Sequence, residues 1–182
     1  FDLEADYTLL NNHTYFGVSE SDGLVKPFQY KKEISYWRVK LSKELKWYNF
    51  TLDNVLRYQK VVSSENILNM PDVNFRTTLY YTNRLFKNAL LLQTGVSLKY
   101  FTDYFMNAYD PLLGEFYTQN QTSMKGFPRL DFFVNAKIRQ TRIFLIAEHF
   151  NSAFTGYNYF SAPGYPYRDF TVRFGLVWNF FL

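Results

Sequence analysis

Residues 168–182 read RDFTVRFGLVWNFFL. Phe170, Val172, Phe174, Leu176, Trp178 and Phe180 fall on one parity, and Asp169, Thr171, Arg173, Gly175 and Asn179 on the other. A helix would scatter the first set around its axis, whereas a strand sends successive side chains to opposite faces. The spacing therefore predicts a strand with one apolar and one polar face.

The same alternation runs outward through the chain. Residues 1–9 set Phe1, Leu3, Ala5, Tyr7 and Leu9 against Asp2, Glu4, Asp6 and Thr8. Residues 34–48 set Val39, Leu41, Leu45 and Trp47 against Arg38, Lys40, Ser42, Glu44 and Lys46, with Lys43 out of phase. Residues 49–62 oppose Phe50, Leu52, Leu56 and Tyr58 to Thr51, Asp53, Arg57 and Gln59. Residues 74–86 oppose Phe75, Thr77, Leu79 and Tyr81 to Arg76, Thr78, Tyr80, Thr82 and Arg84. Residues 89–102 place Leu90, Leu92, Val96, Leu98 and Tyr100 opposite Gln93, Gly95, Ser97 and Lys99. Residues 129–140 place Leu130, Phe132, Val134, Ala136 and Ile138 opposite Asp131, Asn135, Lys137 and Arg139. Residues 141–151 are less clean, with Ile143, Leu145 and Ala147 against Arg142, Phe144, Ile146 and Glu148.

With a short strand at residues 13–20 this gives about nine strands, most of them about 10–14 residues long, where globular strands cluster near 5–6. At about 3.3 Å per residue and a tilt near 45°, about ten residues rise ~23 Å, close to the ~25 Å apolar band of an outer-membrane barrel. Connections at residues 11–12, 48–49, 86–88 and 140–141 are short; those at 20–33, 63–73, 103–128 and 152–167 are long. Their alternation gathers the long ones at one end, as in barrels with tight periplasmic turns and long extracellular loops. Residues 115–121 (EFYTQNQ) are placed in a long loop, because a membrane strand there would invert the parity that follows. The expected fold is all-β, a transmembrane antiparallel β-barrel of outer-membrane type.

Composition agrees. The chain has 182 residues, 21% aromatic and 20% charged, net charge +4 and no Cys. Its mean hydropathy is only −0.27, as expected when apolar and polar residues alternate. The aromatic content excludes disorder. The lack of Cys excludes a disulfide framework or Cys-based metal site, and no apolar run approaches the roughly 18 residues of a membrane helix. Trp47, Tyr48, Phe50, Phe86, Trp178, Phe180 and Phe181 sit near one rim, and Tyr36, Trp37, Tyr58, Tyr100, Phe101 and Phe170 near the other. Of these, Trp37, Trp47, Tyr48, Phe86, Trp178 and Phe180 are the expected membrane-interface aromatics.

If the last of nine strands descends to the periplasm, so does the first, and Phe1 begins at the outer face. Barrels of this class have an even strand count, so residues 1–182 are expected to form the C-terminal part of a single larger barrel domain. About 16 strands would leave an aqueous channel, whereas eight are filled by their own side chains.

Four stretches carry a family resemblance: LSKELKWYNFTLDNVLRYQKV from Leu41, TTLYYTNRLFKNALLLQTGVSLKYFTDYFMNAYDPLLGEFYTQNQ from Thr77, GFPRLDFFVNAKIRQTRIFLIAEHFN from Gly126, and YNYFSAPGYPYRDFTVRFGLVWNFF from Tyr157. The sequence resembles the C-terminal half of the putative porins of Bacteroidota, over about four fifths of its length. The YFSAPGYPYRDF loop and the terminal strand ending in paired Phe are the most specific part. Leu182 departs from the terminal aromatic usual for the barrel-assembly machinery.

The resemblance implies an integral outer-membrane porin passing small hydrophilic solutes by passive diffusion. The expected pore-lining set is Arg38, Lys40, Glu44, Lys46, Asp53, Arg57, Arg76, Arg84, Lys99, Asp131, Lys137, Arg139, Arg142, Glu148, Asp169 and Arg173. Its basic excess predicts weak anion preference; the same charges equally suit ion-pair ladders that hold strands together. Of the two histidines, His149 is expected at an interface, and its neighbour Glu148 points to the other face. No GxSxG, HExxH, phosphate-cradling Gly loop or Cys site occurs, so no enzyme activity, metal or cofactor is expected.

Residues 101–121 suit an inward constriction, a docking surface for a partner, or an external loop packed on its own aromatics, and Tyr157, Tyr159, Tyr165 and Tyr167 could stack on sugars. Basic residues spread over all strands exclude a nucleic-acid face. Expected partners are outer-membrane lipid and lipopolysaccharide, the barrel-assembly machinery, and protein neighbours in an outer-membrane complex. A non-conducting structural or assembly subunit, and a soluble lipocalin-like barrel with its apolar phase inward, are the alternatives.

Overall fold

The computed structural model describes residues 1–154, 156 and 159–180. Eight strands form one antiparallel sheet: β1 (Asp2–Leu10), β4 (Ile34–Trp47), β5 (Phe50–Val62), β6 (Val73–Leu85), β7 (Leu90–Phe101), β12 (Arg129–Ile138), β13 (Thr141–Glu148) and β16 (Thr171–Trp178), hydrogen-bonded in that order. The remaining strands are short and lie in the connections: β2 (His13–Val18) with β3 (Val25–Tyr30), β8 (Tyr104–Phe105) with β11 (Ser123–Met124), β9 (Ala108–Asp110) with β10 (Glu115–Tyr117), and β14 (Phe160–Ala162) with β15 (Tyr165–Pro166). The all-β antiparallel architecture is as the periodicity predicts.

The strand count differs. Residues 13–18 alternate like a wall strand, but they pair with β3, from His13↔Tyr30 to Val18↔Val25, while β1 pairs directly with β4, from Asp2↔Ser42 to Leu10↔Ile34. Asn11–Asn12 is thus the entrance to a long connection that carries its own hairpin, with Asn12 in the left-handed region at φ 54°. With eight strands in the sheet, β1 runs opposite to the expected direction, and the parity premise for preceding strands is absent. All four connections that join wall strands through long segments, at 11–33, 63–72, 102–128 and 149–170, now lie at one end. The other end has only tight turns, where Tyr48, Phe86, Lys87, Asn88 and Arg139 take positive φ. Among the described residues β1 and β16 do not pair with each other, so the sheet has two open edges.

Exposed large apolar side chains occur on every wall strand, among them Leu3, Trp37, Leu45, Leu56, Leu79, Val96, Ile138, Leu145 and Phe174, the last 82% exposed. A soluble barrel with its apolar phase inward would bury them. The buried apolar residues instead lie at the long-connection end: Ile34 is fully enclosed, packed with Tyr30 and Ile67, and Met106, Ala108, Met124, Phe127, Tyr159 and Ala162 lie in or beside the connections. Those connections are lashed together. Thr118 N–H donates to Phe16 O at 2.8 Å, Asn69 Nδ2 to Gln119 O at 2.9 Å, and Asn120 Nδ2 to Asn66 O at 2.8 Å. Within the connection after β7, β9 and β10 form a hairpin of their own, and Tyr109 packs on Phe116 at 5.2 Å and on Tyr165 at 5.5 Å.

Two glycines allow close packing on the polar face. Gly95 lies opposite Tyr80 in β6, and a Cβ there would fall 2.3 Å from Leu79 O and 2.6 Å from Tyr80 Cβ. Gly175 lies opposite Phe144, whose ring covers it, so an added Cβ would meet only ring atoms at 2.5 Å. A ring can swing aside; a paired backbone cannot. Gly95→Ala is therefore expected to lower unfolding stability by about 2 kcal/mol, and Gly175→Ala by clearly less, measured as urea unfolding midpoints of the protein folded in lipid vesicles.

Candidate functional site

Antiparallel pairing puts directly opposed residues on one face, and register therefore assembles the charges of the polar face. Asp6 meets Arg38 (2.7 Å) and Glu4 meets Lys40 (2.7 Å) between β1 and β4. Lys40 in turn faces Arg57 across β4 and β5. One step along, Arg76 faces Lys99, and Lys99 faces Arg129. Asp53 holds Arg76 at 3.1 Å, and Asp131 takes Lys99 at 2.8 Å and Arg129 at 3.6 Å. Glu148 sits between Arg173 and Arg168, the latter at 3.0 Å. Glu44 takes Lys46 at 3.2 Å and the Tyr80 hydroxyl proton at 3.1 Å.

All the strand members of the expected pore-lining set thus share one face. Arg139 falls in the tight turn between β12 and β13, and Asp169 precedes β16. The ion-pair ladder between strands is realised for Arg38, Lys40, Arg76, Lys99 and Arg173, whereas Lys46 pairs with Glu44 of its own strand. Among the described residues Arg57, Arg84, Lys137, Arg139, Arg142 and Asp169 have no ion pair. Tyr36 and Phe101, expected among the rim aromatics, share the polar face: Tyr36 Oη donates to Gln59 Oε1 at 3.0 Å.

Over these opposed cations is a cavity of about 720 Å³. Lys40, Asp53, Arg57, Arg76 and Lys99 contribute from the sheet, and Phe101, Met106, Phe127, Phe160 and Tyr167 from the strand tops and long connections. Arg129 closes one side, donating from Nη1 to Tyr167 Oη and lying 5.6 Å from that ring's centroid. Arg168 lies 5.7 Å from the same ring.

His149 anchors this end. It is fully buried, not at an interface as its sequence position suggests. Its backbone N–H donates to Asp131 Oδ1 at 2.9 Å, and Nδ1–H donates to Arg168 O at 3.0 Å. Its ring lies among Tyr159 (4.8 Å), Phe127 (5.7 Å) and Tyr167 (5.7 Å). Burial pushes the ionisation of Tyr159 and of Tyr104 up. Of the tyrosines considered for sugar stacking, Tyr159 is thus buried in the cluster, and Tyr157 lies outside the described residues, as do Phe181 and Leu182. Among the described residues no group of acidic and histidine side chains could hold a metal.

The expected interface aromatics are all exposed, on two levels. Trp47, Tyr48, Phe86, Trp178 and Phe180 lie at the tight-turn end, where Trp178 stacks on Phe180 at 4.9 Å. Trp37 lies towards the other end of β4, 4.4 Å from Tyr7.

A family model described as "Putative porin" matches residues 1–182. The chain belongs to the putative porin family. The match also takes in the first forty residues, beyond the stretches that carried the resemblance. No curated protein and no solved structure matches the chain.

Sequence parity places Arg129 on the polar face of this porin-family sheet, although it is absent from the expected pore-lining set. The contribution of Phe127 and Tyr167 depends on how the connections fold back, which carries no period. Asp131 is the junction of the two halves of the site. Asp131→Ala is expected to destabilise the protein by about 2–3 kcal/mol, because it strands the His149 amide and leaves Lys99 facing Arg129. Asp131→Asn keeps an acceptor and should lose less. Amide exchange at His149, accelerated in the Ala variant and near wild type in the Asn variant, separates the hydrogen bond from the charge.

Proposed function

We propose that the chain forms the wall of an outer-membrane channel, its apolar face towards lipid and its polar face towards a water-filled passage for small hydrophilic solutes. The observation that carries this is the two-faced sheet: exposed apolar side chains on every wall strand behind a charged, register-matched polar face. Ten residues separate Trp37 from Trp47 on β4, and about 23 Å of rise at a 45° tilt brings the two aromatic levels to the edges of a ~25 Å apolar band. The open edges of β1 and β16 are where further strands would complete a larger barrel around an aqueous lumen. Lipopolysaccharide and lipid would contact the apolar face, and the aromatic end of the last strand, with Trp178 and Phe180, would serve the assembly machinery.

Passage on this reading is passive diffusion without catalysis. Arg57, Arg84, Lys137 and Arg142 carry the positive excess left after pairing, and a positive field between low-dielectric walls favours anions weakly.

One observation favours the second reading, a structural subunit. The apolar face is interrupted where Lys43 faces Asn54 and Asn54 faces Thr77, whose hydroxyl donates to Asn54 Oδ1 at 2.7 Å. An ionisable side chain towards lipid is costly, and a neighbouring protein packed there would relieve it.

Planar-bilayer recording of the protein decides between them. Discrete steps are expected, with a reversal potential under a KCl gradient shifted towards chloride. Joint replacement of Arg84, Lys137 and Arg142 by Gln should reduce that shift. Salt near 1 M, where the screening length is about 3 Å, should erase it. Absence of discrete steps would leave the structural reading.

A further inference from the structure

Like charges directly opposed across antiparallel strands destabilise a sheet. The polar face nevertheless opposes Lys40 to Arg57, and Arg76 to Lys99 to Arg129, on adjacent strands. Three carboxylates answer these cations: Glu4 for Lys40, Asp53 for Arg76, and Asp131 shared by Lys99 and Arg129. Arg57 is left over. Its guanidinium has no hydrogen bond or ion pair among the described residues, and its Nε is enclosed away from solvent without a partner. A ladder that served only to hold strands together would not leave one of these opposed cations unanswered.

Arg57 also lines the cavity of about 720 Å³, a volume within the ~300–1,000 Å³ typical of small-molecule sites. Lys99 and Arg129 line the same cavity beyond it, and Phe101 and Tyr167 supply apolar and aromatic surface. Arg84 is the instructive contrast: equally unpaired, but exposed near the tight turns and lining no described cavity, so water can satisfy it.

We propose that this cavity is a binding subsite for a small organic oxyanion, its phosphate or carboxylate held by the Arg57 fork in the field of Lys99 and Arg129, and its apolar body against Phe101 and Tyr167. A planar guanidinium offers two parallel N–H donors to such a group, which a lysine ammonium cannot reproduce. The inference deepens the passage reading and rests on it only for the route by which the solute reaches the cavity.

The test is equilibrium binding to the full chain in lipid nanodiscs, by calorimetry, with phenyl phosphate as probe and inorganic phosphate and phenyl β-glucoside as comparisons. Phenyl phosphate should bind saturably at one per chain, inorganic phosphate more weakly, and the neutral glucoside not at all. Arg57→Gln should weaken phenyl phosphate at least about tenfold, the loss expected for a charge-assisted contact. Arg57→Lys should fall between, and Arg84→Gln should match wild type. Heat-modifiable gel mobility checks that each variant is folded; if Arg57→Gln is not, the Lys variant decides, and affinity equal to wild type counts against the site. No saturable binding up to about 10 mM, equal binding of the glucoside, or an equal loss in Arg84→Gln would overturn the proposal. Binding without conductance would leave the subsite standing and remove the passage; conductance without binding would do the reverse.

Discussion

Antiparallel pairing fixes both which residues share a face and which stand directly opposed, and every other property of this sheet is subject to that constraint. Backbone N–H and C=O groups within a sheet must be satisfied by neighbouring strands, so the ladder has to be continuous. Once it is, a single parity choice in β4 propagates through Lys40↔Arg57 and Val55↔Arg76 to Lys99 and Arg129 without further freedom. The sequence can then vary charge along each strand, but it cannot move a cation off the row its neighbours define. Several cations are accordingly answered by a carboxylate of the neighbouring strand, as Lys40 by Glu4, Arg38 by Asp6 and Arg76 by Asp53.

Face assignment was the legible part of the fold, because it depends on a local period that each strand displays by itself. Trp37, Val39 and Leu41 declare the apolar side of β4 with no knowledge of β5. Register was not legible. Whether Arg57 faces Lys40 or a carboxylate depends on the length of a two-residue turn and on the left-handed backbone at Tyr48, which an aromatic residue does not announce. The same limit explains the miscounted strand. Residues 13–18 alternate as a wall strand does, and only their pairing with residues 25–30, reached through the turn around Gly23, shows that they belong to a hairpin within the long connection.

The candidate site divides along the same line. Its cations were readable from parity; its apolar roof was not, since Phe127, Phe160 and Tyr167 reach the cavity through connections without repeating pattern. His149 shows why. It follows Glu148 in sequence and by strand logic should point to the other face and the membrane boundary. Its left-handed φ of 52° ends the alternation at that residue and turns the ring inward, beneath the long connections. A non-glycine residue held there is strained unless its surroundings fix it, and two hydrogen bonds and three rings do so.

His149 consequently ties the cation row to the roof. Its amide occupies one oxygen of Asp131 while Lys99 takes the other, and its imidazole reaches the carbonyl of Arg168, the residue that also contacts Glu148 and the Tyr167 ring. A carboxylate with one oxygen committed to the roof and the other to the sheet cannot follow one without the other. The spacing between the sheet cations and the aromatic surface above them is therefore set by a covalently rigid group only a few ångströms across. The shared carboxylate thus ties the long connections to the polar face, and the cavity lies between them and Arg57.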